Sequence, residues 1–214
     1  MKNFYFLKSL GVLCLVIVLG ACSHTVPVSN ITVSTPIGLS KISGRYAAQV
    51  QTGGWVLSAK SKNGGLTFRD YSINLNGSYL NAMQEGLKVS LENVEFVSEV
   101  MTPAQLKEKG FDAQIVVYQG SADAAYSVLP GLWTMTLGEI SLATTLAIIV
   151  PEAGLKYQQS LDEKGEGNME SIMGSQVEEA LAKATGNAID KIVKSTLLYV
   201  RDGIHSTKSN SKPA

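Results

Sequence analysis

Apolar residues recur at helical spacing in two long stretches of the chain. The first predicts a helix with one apolar face, and Asn76 or Ser78 is placed to cap its start. Its stripe comprises Leu80, Met83, Leu87, Leu91 and Val94. Gly86 lies within it, where glycine costs about 1 kcal/mol relative to alanine, so we expect a close contact at that position.

The second stretch predicts a helix from a capping residue, Ser175, to about Val200. Glu178 and Glu179 lie near the positive end of its dipole. Its apolar face comprises Val177, Leu181, Ala184, Ala188, Ile192 and Thr196. Between the two stretches, Thr102 to Gln105 predicts a short helix that begins with a capping box and ends at Lys109-Gly110.

The first half of the chain also carries short strand patterns. Ile42 to Val50 and Trp55 to Ser61 predict two strands, and Gln51-Thr52-Gly53-Gly54 between them is typical of a hairpin turn. Glu95 to Val100 predicts another strand. Asp112 to Tyr118 predicts a strand, and its consecutive apolar residues Ile115, Val116 and Val117 are typical of a strand covered on both faces or at a barrel wall.

A long hairpin pattern fills the second half. Ser121 to Val128 is compatible with a strand. From Ile140 to Val150, large apolar residues alternate with the smaller Ser141, Ala143, Thr145 and Ala147, which predicts a strand with one heavy and one light face. The return strand runs from Leu155 to Leu161, and Glu163 to Gly167 predicts a polar turn.

Mixed strands and helices in this order predict an α+β fold. We expect a two-layer domain in which two long amphipathic helices cover one face of a mostly antiparallel sheet. The domain is expected over residues 41–202. Residues 22–40 are rich in Ser, Thr and Pro and predict a flexible tether, with an edge strand at Ile31–Val33 as the alternative. Residues 203–214 predict a disordered tail.

The amino terminus has the pattern of a secretory signal over residues 1–21. Lys2 and Lys8 precede an apolar run, Leu10 to Leu19, and small residues follow it. The run is shorter than the roughly 20 apolar residues that span a bilayer. Cys14 would leave with the signal, so the mature chain would hold Cys22 alone and no disulfide.

Leu19-Gly20-Ala21-Cys22 resembles the lipobox of bacterial lipoproteins. The resemblance implies cleavage before Cys22, an S-diacylglycerol thioether on its sulfur and an N-palmitoyl group on its new amine. Ser23, where the family's sorting rule places Asp for retention at the inner membrane, implies the outer membrane. The alternative is an ordinary secretory signal with Cys22 as an incidental thiol.

Charge excludes one class of partner. Without Lys2 and Lys8, 16 basic residues remain against 18 acidic ones, a side-chain charge of about −2. This balance gives no basic footprint for nucleic acid. The lipobox resemblance implies the membrane as a partner, through the lipid, and the further expected partner is an envelope protein or a second copy of the chain.

A second resemblance covers residues 102–167. The capped short helix, Lys109-Gly110-Phe111-Asp112, the buried strand and the long hairpin ending in Glu163-Lys164-Gly165-Glu166-Gly167 resemble the small periplasmic lipoproteins related to the curli secretion channel, the penicillin-binding-protein activators and the YajG-type lipoproteins. This implies a binding or assembly module and no enzyme. The segment around Trp133 is longer and more apolar than that pattern.

Candidate chemistry is sparse. The histidines, His24 and His205, lie near the two ends of the chain and suit neither a catalytic triad nor a metal site, so we expect no metal and no cofactor. Carboxylates around the long hairpin could form a glycosidase pair, although solvated carboxylates are the norm at turns and strand ends. They are Glu139, Glu152, Asp162, Glu163 and Glu166.

The best candidate for a contact site is the loop that contains Leu129, Leu132 and Trp133, because Pro130 and Gly131 favour a loop and clustered exposed apolar residues mark interfaces. Trp55 is a further candidate. The alternative for both tryptophans is that they pack into the core.

Three functions remain open. The preferred hypothesis is a lipid-anchored, non-enzymatic envelope protein that serves assembly, secretion or transport by binding other proteins. A domain that binds a small or lipidic ligand between sheet and helices is the second. A carboxylate-dependent glycan hydrolase is the third.

Overall fold

The computed structural model describes residues 23–29, 31, 40–63, 70–131, 133–172 and 176–209, with the backbone alone for 207–209. The strands are β1 (Ser23–Thr25), β2 (Ile42–Val50), β3 (Val56–Ser61), β4 (Asp70–Asn74), β5 (Leu91–Phe96), β6 (Ala113–Leu129), β7 (Thr134–Val150) and β8 (Gly154–Ser171). The helices are α1 (Asn76–Ser90), α2 (Pro103–Glu108) and α3 (Val177–Ser209).

Strand β6 is the centre of one mixed sheet. Along one edge it pairs with β7, which pairs with β8, and this antiparallel hairpin forms the longest ladders of the sheet. Along the other edge β6 pairs in parallel with β2 and then with β3. Strand β5 flanks β2, while β4 and β1 extend the sheet beyond β3. The predicted α+β class is confirmed.

The predicted hairpin between β2 and β3 is wrong, although both strands exist. Both strands pair with the same edge of β6, one after the other: Val50 of β2 registers with Val117, and Lys60 of β3 registers with Ala125. The intervening segment stays on β6: the Gln51 amide donates to Val117 O, and the Gly53 amide donates to the Gln119 side chain. Hydrogen bonds to a distant strand therefore replace the local turn.

Helices α1 and α3 cover one face of the sheet and pack against each other. At Gly86, where a close contact was predicted, a methyl group would lie 2.9 Å from Leu197 Cδ1. The heavy face of β7 lies under α3, and Ile140, Leu142 and Leu146 are fully buried there. The main hydrophobic core is thus between the helices and the sheet.

The opposite face of the sheet is covered only in part. Leu106 of α2, together with Met101 and Phe111, packs against Ala47 of β2 and forms a second, smaller core. Residues 113–117 of β6 are buried throughout, which confirms the prediction of a strand covered on both faces. The capping box of α2 is also confirmed, since the Gln105 amide donates to Thr102 Oγ1 and Gln105 Oε1 accepts from the Thr102 amide.

Helix α1 ends earlier than predicted. Leu91 and Val94 match the helical stripe but lie in β5, where they pair with Ile42 and Tyr46 of β2. The strand consequently begins at Leu91 rather than Glu95. No side chain caps α1, and Asn76 instead accepts a hydrogen bond from the Trp55 amide. Ser175, the predicted cap of the last helix, lies outside the described residues.

Residues 163–167 form part of β8 rather than a turn. Their glycines let α3 approach the sheet: a methyl group at Gly165 would meet the backbone of Ala184 and Ala188, and one at Gly167 would meet Ala180. A helix that crosses at this distance requires glycine beneath it. In the sequence alone, these glycines among polar residues have the pattern of a turn.

Both ends of the domain are more structured than predicted. Helix α3 continues past Val200 to Ser209, with Ile204 buried, so 203–209 is not a disordered tail. Ser23–Thr25 pairs with β4 and Val26 is buried, so the prediction of a flexible tether is wrong for these residues. Of the alternative strand Ile31–Val33, only Ile31 lies within the described residues, and it is half-buried outside any strand.

Candidate contact surface at one end of the sheet

Several elements begin or end at the same end of the sheet. Strand β1 begins there in parallel register with β4, and β4 is tied through β3 to the last third of β6. The β6–β7 hairpin closes at this end, and β8 leaves the sheet there before α3 begins. We call this the tip end.

Among the described residues, three large apolar side chains are exposed at the tip end. Leu129, Trp133 and Ile172 are 45%, 60% and 64% exposed, and we call them the tip patch. Thr134 registers with Ser171, so Trp133 and Ile172 lie one position beyond the same pair of neighbouring strands. Leu132, the other predicted contact residue of this loop, lies outside the described residues.

The alternative that Trp133 packs into the core is wrong. Leu129 and Met135 are the last registered pair of β6 and β7, so Trp133 falls within the turn, where no helix covers it. Gly131 lets the chain fold back closely, because a methyl group there would lie 3.2 Å from Trp133 O. Trp133 is 60% exposed at this turn, so it is not part of the core.

Trp55 is not a contact residue, which corrects the sequence prediction. It is 3% exposed, and its indole nitrogen donates to Gly120 O at 3.0 Å. Its ring lies 4.7 Å from that of Tyr79, centroid to centroid. The buried Trp55 therefore links β6 to α1 within the core.

The first residues after Cys22 are fixed to the domain. His24 Nδ1 lies 2.9 Å from Glu178 Oε1 at the start of α3, and its ring is 5.9 Å from that of Tyr71. The Val26 amide continues the ladder by donating to Ser72 O. The sequence carries no local signal for this packing, because it joins His24 to a carboxylate more than 150 residues away.

Of the candidate carboxylates, Glu139 and Glu166 register with each other across β7 and β8, and Lys164 Nζ contacts both, whereas Glu163 and Glu152 lie elsewhere. Glu139 lies on the sheet face opposite α3, within 2.7 Å of Lys62 Nζ and 2.5 Å of Lys164 Nζ. Hydrogen bonds from Lys164, and then from Lys62, lower the pKa of Glu139, so it is ionised at neutral pH. Glu163 lies on the other face, where it accepts from Ser195 Oγ of α3, and Glu152 is in the β7–β8 turn.

The light face of β7 is open where α2 does not reach. Ser141 and Ala143 line a shallow groove of about 190 Å³ together with Asp123, Asp162 and Lys164. These side chains are small or polar, and the groove is open to solvent. Helix α3 packs on the heavy face instead, so the light face is available for contacts.

No protein-family model matches the sequence, and no curated protein matches it. A search of solved structures finds protein XCC0632 from Xanthomonas campestris, described under family DUF330, with a TM-score of 0.53 and 8% identity over 88% of this chain and 99% of that one. This likeness shows a shared fold.

Two further structures are similar at lower TM-scores. One is a putative neuraminyllactose-binding hemagglutinin homolog from Helicobacter pylori (TM-score 0.46, 9% identity, 85% of this chain and 100% of that one). The other is a minor lipoprotein from Acinetobacter baumannii (0.39, 8%, 76% and 94%). A TM-score below 0.5 assigns neither a family nor a role to this chain. The resemblance to YajG-type lipoproteins stays a prediction.

None of the helices in the described part of the chain combines the length and the apolarity needed to cross a bilayer.

Proposed function

We propose that this chain is a lipid-anchored lipoprotein of the outer membrane that serves assembly, secretion or transport through non-covalent contacts and is not an enzyme. The observation that carries the proposal is the position of the lipobox. Cys22 directly precedes β1, so cleavage before Cys22 would leave every described element of the domain intact. Ser23 after the cysteine supports the outer membrane.

Two surfaces support a contact role. The tip patch exposes large apolar side chains, and such clusters mark interaction sites on soluble domains. The light face of β7 offers a second, flatter surface of small and polar residues. Glu139 and Glu166 face each other across β7 and β8, but Lys62 and Lys164 bind Glu139 and Lys164 also contacts Glu166. A glycosidase pair needs one carboxyl group protonated, so these ion pairs favour contacts over acid–base catalysis.

Metabolic labelling tests the anchor. Cells that express the full chain are fed an alkyne-tagged fatty acid, and the outer-membrane fraction is probed for labelled protein. We expect label on the wild type and none on Cys22→Ala, which should also leave the outer-membrane fraction. An unlabelled wild type, or equal labelling of both, would contradict the proposal.

In-cell cross-linking tests the contact role. A photo-reactive amino acid at Ser141 or Ala143 samples the light face, and one at Lys156 samples the far end of β8. We expect discrete adducts with an envelope protein, or with a second copy of the chain, from the light face. Absence of adducts from the light face, or equal adducts from Lys156, would contradict a contact function.

A further inference from the structure

The register of the sheet fixes where the anchor lies relative to the tip patch. Ser23 pairs with Asp70, Tyr71 pairs with Ala59, and Lys60 pairs with Ala125. Ser23 therefore lies at about the level of Ala125 along β6. Leu129 is four residues further toward the tip end, a distance of about 13 Å at the usual rise of a strand.

The anchor has almost no slack. The Cα atom of Cys22 lies within about 3.8 Å of that of Ser23, because one peptide bond joins them. Ser23–Thr25 is held in the sheet by β4, and His24 is held by Glu178. A lipid on Cys22 would consequently bring the tip end, not merely the chain terminus, to the bilayer.

The tip patch projects past the anchor. By register, Leu129 lies four residues, about 13 Å, beyond the level of Ser23 toward the tip end, and β1 is three strands from β6 in a sheet that twists by about 20–25° per strand. Trp133 and Ile172 lie beyond the last registered pairs and extend at least as far. Interfacial segments bury apolar side chains about 5–10 Å into the headgroup and acyl boundary, which is comparable to this projection.

We propose that the tip patch inserts into the headgroup region of the same leaflet that holds the Cys22 lipid. This inference rests on the proposed lipid anchor and names the occupant of the patch as the bilayer. Trp133 suits the role, because the amphipathic indole ring is enriched at membrane–water interfaces. Leu129 and Ile172 supply the apolar contact on either side of it.

The charged side chains at the tip end indicate which kind of lipid surface it fits. Asp70 and Glu170 are exposed at the tip end, and Glu170 registers with Met135 next to the hairpin turn. Lys60 and Lys62 are exposed at the same end, so the described charges are mixed and suit a zwitterionic surface. The β7–β8 turn, with Leu155, then points away from the membrane, and the light face of β7 stays open to protein partners.

Depth-resolved quenching tests the inference with the full lipidated protein, purified from membranes and reconstituted into phosphatidylcholine vesicles. Lipids brominated at different depths quench tryptophan near the bromines. Trp55 gives a constant background because it is buried, and Trp133→Ser measures that background. The matched control is Trp133→Ser combined with Leu155→Trp, which moves the exposed tryptophan to the opposite end.

We expect Trp133 emission to shift to shorter wavelength in vesicles and to be quenched most by bromines near the interface. The Leu155→Trp control should show neither effect. Equal quenching at both positions, or none at Trp133 in protein whose mass confirms the lipid, would overturn the inference while leaving the anchor intact. A mass without lipid would overturn the proposed function and, with it, this inference.

Discussion

Replacing Gly165 with alanine tests how closely α3 lies on the sheet. Gly165 is in β8 beneath the helix, and a methyl group there would lie 2.7 Å from Ala188 Cβ and still closer to the Ala184 carbonyl oxygen. The opposing atoms belong to helix backbone and short side chains, so no side chain can rotate aside. The helix or the strand must therefore move.

The expected cost follows from overpacking. Inserting a methyl group into a packed interior costs about 1–3 kcal/mol. The reduced freedom of alanine in the unfolded chain offsets about 0.4–1 kcal/mol where the backbone tolerates the change. We expect Gly165→Ala to lower the free energy of unfolding by about 1–2 kcal/mol, and Tm by roughly 2–8 °C at this chain length.

Urea and thermal unfolding of the chain from Ser23 onward give the measurement, followed by the fluorescence of the buried Trp55. Gly186→Ala is the matched control in α3 itself, because nothing lies within 4 Å of its added methyl group. Relief of glycine within a helix should stabilise that variant by about 0.5–1 kcal/mol. Shifts of the same sign in both variants would refute the close-contact reasoning.

Two further predictions concern single contacts. The pKa of Glu139 is lowered, so its contribution to stability is present above its ordinary pKa of 4.5 and is lost as pH falls through the lowered value. In urea unfolding, Glu139→Gln should therefore have a lower free energy of unfolding than the wild type at pH 7, and this difference should disappear in acid. A difference that does not depend on pH would contradict the ion pairs. Thr102→Ala removes the cap of α2 and should cost about 1 kcal/mol in the same assay, whereas unchanged stability would show that the cap contributes nothing.

Local signals were readable from the sequence. The capping box at Thr102 and the helix end at Lys109-Gly110, where Gly110 has a φ of 69°, depend on residues a few positions apart, and both predictions are confirmed. The buried strand at Asp112–Tyr118 and the α+β class also followed from apolar patterning. These features are encoded within single segments.

Distant pairing was not readable in the same way. The glycines at 53 and 54 have the composition of a hairpin turn, yet Gly53 bonds to Gln119, 66 residues away. The glycines at 165 and 167 likewise depend on α3, which follows them in the chain. In neither case does the local pattern distinguish these glycines from those of a turn.

The contact surface was predicted in part. Leu129 and Trp133 are exposed as the loop composition indicated, whereas Trp55, with an equally ambiguous pattern, is buried against Tyr79. Ile172 was missed because a single apolar residue after a strand carries no periodic signal. The packing of His24 beside the lipobox was missed because its partners come from β4 and α3.

The most direct measurement is the mass of the amino-terminal peptide of the native protein, extracted from membranes without hydrolysis of its lipids. Cleavage before Cys22 and a mass increase equal to a diacylglycerol and an acyl group are the predicted result. An intact signal segment, or a terminal peptide that carries a free thiol, would contradict a lipid-anchored domain held with its tip end at the bilayer.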